Sequence, residues 1–158
     1  MRRTSDRPGA PARDPYDLER FVDAQAGVYA QALGELRAGR KRSHWSWFVF
    51  PQLRGLGRSA MAERYGIDSL DEARAYLAHP VLGARLRECV AALAEQAGIG
   101  PVRVLGETDA VKLRSCLTLF GEASGGDPAF VDALAMHFGG ESDPATLALL
   151  KVRSPGRS

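Results

Sequence analysis

Cysteine is scarce: only Cys89 and Cys116 occur, neither in a C-x-x-C pair. Both fall inside apolar helical patterns, which reads as two reduced, buried thiols and argues against a disulfide framework. Histidine is nearly as rare. His44, His79 and His137 share no H-x-x-x-H or H-E-x-x-H spacing, so no metal is expected, and no motif calls for a cofactor. Long apolar runs are missing too. The N-terminus carries nothing like a signal-peptide h-region, and no stretch of about 18 apolar residues is present to span a bilayer. The expectation is a soluble, cytoplasmic protein without a membrane partner. Net charge is small, with 21 basic against 19 acidic residues. Arg2, Arg3, Arg7 and Arg13 at one end and Lys151, Arg153 and Arg157 at the other supply the surplus. The body between them is mildly acidic, so no specific nucleic-acid partner is expected. Strand signals are few: residues 100–105 read equally as a short strand or a helical turn. Oligomeric state leaves no trace in the sequence.

What is present is apolar side chain in helical register. With 45% hydrophobic residues in 158, the chain has the size and the core of one ordinary domain. Residues 1–13 and 154–158, rich in Arg, Pro, Ser and Gly, read as disordered tails around a single helical domain over 14–153. Three Asp-Pro pairs, Asp14-Pro15, Asp127-Pro128 and Asp143-Pro144, mark helix starts. The carboxylate accepts from an orphan N–H, and proline loses nothing at the first helical position. The first helix is expected to run to about Gly39. Ser69 and Glu72 form a capping box opening a helix that stops near Ala78, because Pro80 disfavours a helical His79. Pro80 then starts a longer helix through Leu82, Leu86, Cys89 and Leu93, expected to be the most enclosed. Thr108 or Asp109 caps the next, and two short helices close the chain. The fold class is all-α: a compact multihelical domain with a largely enclosed helix and little or no sheet.

Two segments are unusual for packing alone. The first, His44-Trp45-Ser46-Trp47-Phe48-Val49-Phe50-Pro51-Gln52, holds both tryptophans and leads into Gly55-Leu56-Gly57-Arg58-Ser59. On a helix capped by Ser43, His44, Trp47 and Phe48 share a face. It reads either as a core helix with aromatic filling or as a pocket wall. In the second reading Trp47 faces a planar ligand, His44 and Gln52 are polar handles, and backbone N–H groups near Gly57 and Ser59 receive an anion. G-x-G-x-S is not a Walker loop. The second segment, around Asp109, Lys112 and Ser115, places Lys112 and Ser115 on one helical face. It reads as an anion site or as an Asp–Lys pair beside a hydroxyl tied to its own backbone. Arg37, Arg40, Lys41 and Arg42 form a basic cluster where cations complement a helix C-terminus.

The run His44-Trp45-Ser46-Trp47-Phe48-Val49-Phe50-Pro51-Gln52, with Phe21, Ala24-Gln25, Gly55-Leu56-Gly57, Tyr65, His79-Pro80, Asp109, Lys112, Ser115 and Leu119-Phe120, resembles the bacterial domain-of-unknown-function family 1810. The resemblance spans Asp14 to about Leu150. Cys116-Leu117 departs from the Ser-Met common in relatives, so no hydroxyl role carries over there. The resemblance implies a multihelical fold with one helix enclosed and brings no established activity. Some relatives carry a calpastatin label, which does not fit a chain that reads as compact. A fainter likeness to helical enzymes that cleave N-glycosidic bonds of ribose phosphates is analogy only. The lead expectation is a domain that binds a small anionic, part-aromatic ligand such as a nucleotide or ribose phosphate. If it also processes that ligand, His44 is the candidate acid/base and Lys112 the charge stabiliser, with Trp47, Gln52, Gly57, Ser59 and Ser115 as ligand contacts. The alternative is a non-catalytic interaction or structural module whose aromatic run is simply core.

Overall fold

The computed structural model describes residues 14–153; the expected tails lie outside them. Among the described residues there are ten helices: α1 (Glu19–Gln25), α2 (Tyr29–Arg37), α3 (Ser46–Val49), α4 (Ala60–Tyr65), α5 (Leu70–Ala78), α6 (Leu82–Ala94), α7 (Pro101–Leu105), α8 (Glu107–Ala123), α9 (Pro128–Phe138) and α10 (Pro144–Arg153). They form one compact all-α domain. The nearest approach to a sheet is an isolated parallel bridge between Leu53 and Ile67. No helix among these residues is long and apolar enough to cross a membrane.

The helix starts follow local chemistry, with instructive exceptions. Asp127 and Asp143 cap as read, accepting from the N–H of Ala129 at 2.9 Å and of Thr146 at 3.0 Å. Asp14 also accepts, from Leu18 and Glu19 at 2.7 and 2.9 Å. It closes a turn ahead of α1 rather than opening the helix at Pro15. The helix expected to reach Gly39 is two helices, because Gly27 adopts φ +77° and turns the chain between α1 and α2. Ser69 accepts from the Glu72 N–H at 3.1 Å. Glu72, however, returns its bond to the N–H of Asp68 and pairs with Arg20 at 2.8 Å, which gives this buried carboxylate a cation. His79 does end α5, and its Nδ1 accepts from Val81 and Leu82, closing a turn through Pro80 and Val81, so that α6 begins at Leu82 rather than at Pro80. The segment read as a short strand or a helical turn is helical from Pro101 to Leu105. Neither Thr108 nor Asp109 caps α8, which begins at Glu107 after Gly106 turns at φ +91°.

The enclosed helix is α8, not α6 as the sequence suggested. Residues 115–120 are buried without a break, with α5, α7, α9 and α10 packed around the helix. Ser115, Cys116 and Thr118 lie within this buried stretch. Their small side chains admit close neighbours, and the Thr118 hydroxyl donates to the Arg114 carbonyl at 2.8 Å while accepting from the Asp143 N–H at 2.9 Å. The α6 helix keeps Glu88 and Glu95 in water. A chain of aromatic rings crosses the core, from Phe21 to Tyr76 (5.1 Å, edge-on), Tyr76 to Phe120 (5.3 Å) and Phe120 to Phe130 (5.9 Å), and joins α1, α5, α8 and α9.

Candidate functional site

The segment that leads into α3 is held from both sides by carboxylates, one buried and one half-buried. From α2, Glu35 accepts from the Arg42 N–H at 2.8 Å, the Ser43 hydroxyl at 2.7 Å, the Trp45 indole N–H at 2.8 Å and the Gln31 amide at 3.0 Å. Burial would raise this carboxyl, but the donors outweigh it and hold the group at about 2, because each of them favours the charged form. Ser43 is therefore not a helix cap. Its hydroxyl belongs to Glu35, and α3 starts only at Ser46. Trp45 is fully buried, as the core reading required.

From the other side comes Asp109, in the first turn of α8. Its Oδ2 lies 2.8 Å from Lys41 Nζ and its Oδ1 lies 3.2 Å from Lys112 Nζ. Burial pushes this carboxyl up; Lys41, with Lys112 behind it, overrides that and holds it below the usual range. Each ammonium also sits over an indole, Lys41 over Trp45 at 5.2 Å and Lys112 over Trp47 at 4.2 Å, a favourable cation–π placement.

Lys112 borders a cleft of about 460 Å³. One wall is the loop after α3, with Gln52, Leu56 and Gly57. The other is α8, with Thr108, Val111, Lys112 and Ser115, and Asp143 and Ala145 close the end. A narrow apolar crevice lined by Trp47, Phe50, Met61 and Tyr65 adjoins it and shares Gln52 and Lys112. Gly57 is needed for contact: a Cβ there would fall 2.8 Å from the Ala62 Cβ and 3.5 Å from Gln52 Nε2. Ser115 is committed, its hydroxyl lying 3.2 Å from both the Val111 carbonyl and Asp143 Oδ2. Asp143 Oδ2 also receives Thr146 through its N–H and hydroxyl, at 3.0 and 2.6 Å. No hydrogen bond occupies Asp143 Oδ1 or the Gln52 side-chain amide among the described residues.

Of the expected site residues, Gln52, Gly57, Lys112 and Ser115 meet in this cleft and Trp47 backs it. His44 and Ser59 are elsewhere. His44 is exposed and precedes α3, so the helical face it was to share with Trp47 does not exist. Ser59 is exposed and caps α4, accepting from the Ala62 N–H at 3.1 Å.

Residues 15–150 match the family model described as Protein of unknown function (DUF1810). The chain belongs to the DUF1810 family. The domain is similar to the crystal structure of the conserved hypothetical protein Rv1873 from Mycobacterium tuberculosis, with 54% identity over 87% of this chain and 98% of that chain and a TM-score of 0.85. No curated protein matches it. Sequence reading of this DUF1810 chain missed Asp143 and Lys41. Asp143 had been used up as a helix cap, which left its second oxygen out of account. Lys41 had been absorbed into an exposed basic cluster, although its side chain is only 8% exposed.

Proposed function

We propose that this DUF1810 domain binds a small anionic, part-aromatic ligand, of the nucleotide or ribose phosphate class, in the cleft between the loop after α3 and α8. The observation that carries the reading is convergence. Gln52 and Lys112 come from segments far apart in sequence, yet they border one concavity of a size that suits small molecules. The chemistry in that concavity is mixed. Lys112 offers a cation and Gln52 an amide, the crevice behind them is aromatic, and Asp143 Oδ1 is an acceptor suited to a ligand hydroxyl or amino group. A phosphate with a hydroxylated ring attached presents the matching set. Binding is the part of the reading this arrangement supports. The acid/base role expected of His44 finds no support in this arrangement, because His44 does not line the cleft.

The test is a thermal-shift panel of nucleotides and ribose phosphates set against neutral sugars and nucleosides. A ligand at 100 times its Kd adds about 2.7 kcal/mol, which for a domain of this size raises Tm by about 5–10 °C. Phosphorylated compounds are expected to shift Tm and their neutral counterparts to do so weakly or not at all. A flat response across the panel would contradict the proposal and leave the domain as an interaction or structural module.

A further inference from the structure

Lys41, Asp109 and Lys112 form a largely buried row of two cations around one anion. Their side chains are 8%, 15% and 17% exposed, and no other carboxylate lies within ion-pair distance of either lysine among the described residues. Lys41 makes the shorter contact with Asp109, at 2.8 Å against 3.2 Å for Lys112, and its backbone N–H is fixed to the Val104 carbonyl at 2.8 Å. The row carries one positive charge more than it neutralises, and a charge withdrawn from water calls for a partner. Only Lys112 borders the cleft, and Asp109 occupies one of its three N–H donors. Asp143 shares the cleft but does not pair with Lys112; its Oδ2 is taken by Ser115 and Thr146.

We propose that Lys41, though outside the cleft, is the positioning residue that sets its charge: by engaging Asp109 it leaves the Lys112 ammonium short of a counter-ion, so that the group seated there is a single oxyanion, phosphate or carboxylate. This rests on the reading of the cleft as a ligand site. It also makes the carboxylate and the hidden lysine act in opposite directions on a ligand that neither one touches, which a packing role does not do.

The experiment is a tryptophan-fluorescence titration with inorganic phosphate at constant ionic strength, since Lys112 lies over Trp47. The wild type is expected to respond saturably. Lys41→Met should weaken phosphate about tenfold, because Asp109 then neutralises Lys112 alone, and Lys41→Arg should restore it. Asp109→Asn should tighten phosphate by a similar factor, the scale expected for a charge changed a few ångströms from a partly buried ion pair. The double variant Lys41→Met, Asp109→Asn should return near the wild-type value. If Lys41→Met proves unfolded, Asp109→Asn decides by itself. The inference is overturned if the wild type shows no saturable response, if neither substitution changes the affinity, or if Asp109→Asn weakens it. A parallel titration with AMP separates this from the functional reading. AMP binding indifferent to both substitutions would leave the ligand site standing without the role of Lys41, whereas no response to AMP or phosphate would remove both.

Discussion

Two carboxylates, Glu35 buried and Asp109 half-buried, grip the same stretch of chain, and they do it with opposite chemistry. Glu35 is surrounded by neutral donors: two backbone N–H groups, a hydroxyl, an indole and an amide. Asp109 is held by two ammonium groups. The first arrangement is closed, since the lone pairs are taken by groups that have nothing left to offer a ligand. The second is open, since its cations outnumber the anion and one of them faces a cleft. The difference separates an anchor from a site more surely than residue type does.

The largest effect should come from breaking the closed arrangement. Glu35→Ala strands the buried Trp45 indole N–H and takes the acceptor away from the part-buried Arg42 and Ser43 N–H groups. At about 1–3 kcal/mol for a buried donor left unsatisfied, and less for the two part-buried ones, a loss of about 2–4 kcal/mol is expected in urea unfolding. Acid comes next. The Glu35 carboxyl sits at about 2 in the folded chain against an ordinary 4.5. A depressed folded value means its contribution is complete above pH 4.5 and is lost as the pH falls through 2. Asp109 acts in the same sense from its ordinary 3.8 downward. Unfolding free energy measured from pH 5 to pH 2 should therefore fall by about 2–3 kcal/mol on account of Glu35, and Glu35→Gln should flatten that limb. A limb unchanged in Glu35→Gln would mean that other carboxylates carry the acid sensitivity.

Opening the second arrangement should cost far less. Lys112→Met leaves Asp109 neutralised by its shorter contact, Lys41, and strands no carboxylate, for a loss of about 1 kcal/mol. The smallest effects sharpen the comparison from outside both clusters. Ser59→Ala should cost about 1 kcal/mol as the loss of an N-cap, and exposed His44→Ala should stay within about 0.5 kcal/mol. Neither should alter a ligand-induced shift in Tm. A lost shift in His44→Ala would move the site to the other end of the aromatic run.

Much of this was legible in the sequence, wherever local chemistry decides. The Asp-Pro caps at Asp127 and Asp143, the stop at Ala78 and the burial of Trp45 follow from short-range rules and were read correctly. The pairing of Asp109 with Lys112 stood as one of two readings, because three residues on a helix bring side chains together, and the pair forms. What escaped depended on long-range partners. The break at Gly27 was hidden by a continuous apolar stripe on either side of it. Ser43 looked like a cap because nothing near it in sequence announces Glu35 as a competitor for its hydroxyl. Lys41 looked like one more surface cation, because its counter-ion lies 68 positions away, at Asp109. The shift of enclosure from α6 to α8 has a different origin: hydroxyl residues such as Ser115 and Thr118, bonded to carbonyls four residues back, behave as apolar ones in packing.

The central claim is that the open cation at Lys112 receives the ligand, and titration calorimetry of the wild type and Lys112→Met with AMP tests it most directly. The account predicts measurable heat and saturable binding to the wild type, with affinity reduced at least about tenfold in a Lys112→Met variant whose unfolding free energy is within about 1 kcal/mol of the parent. Equal affinity in the two proteins would place the ligand elsewhere and contradict the account.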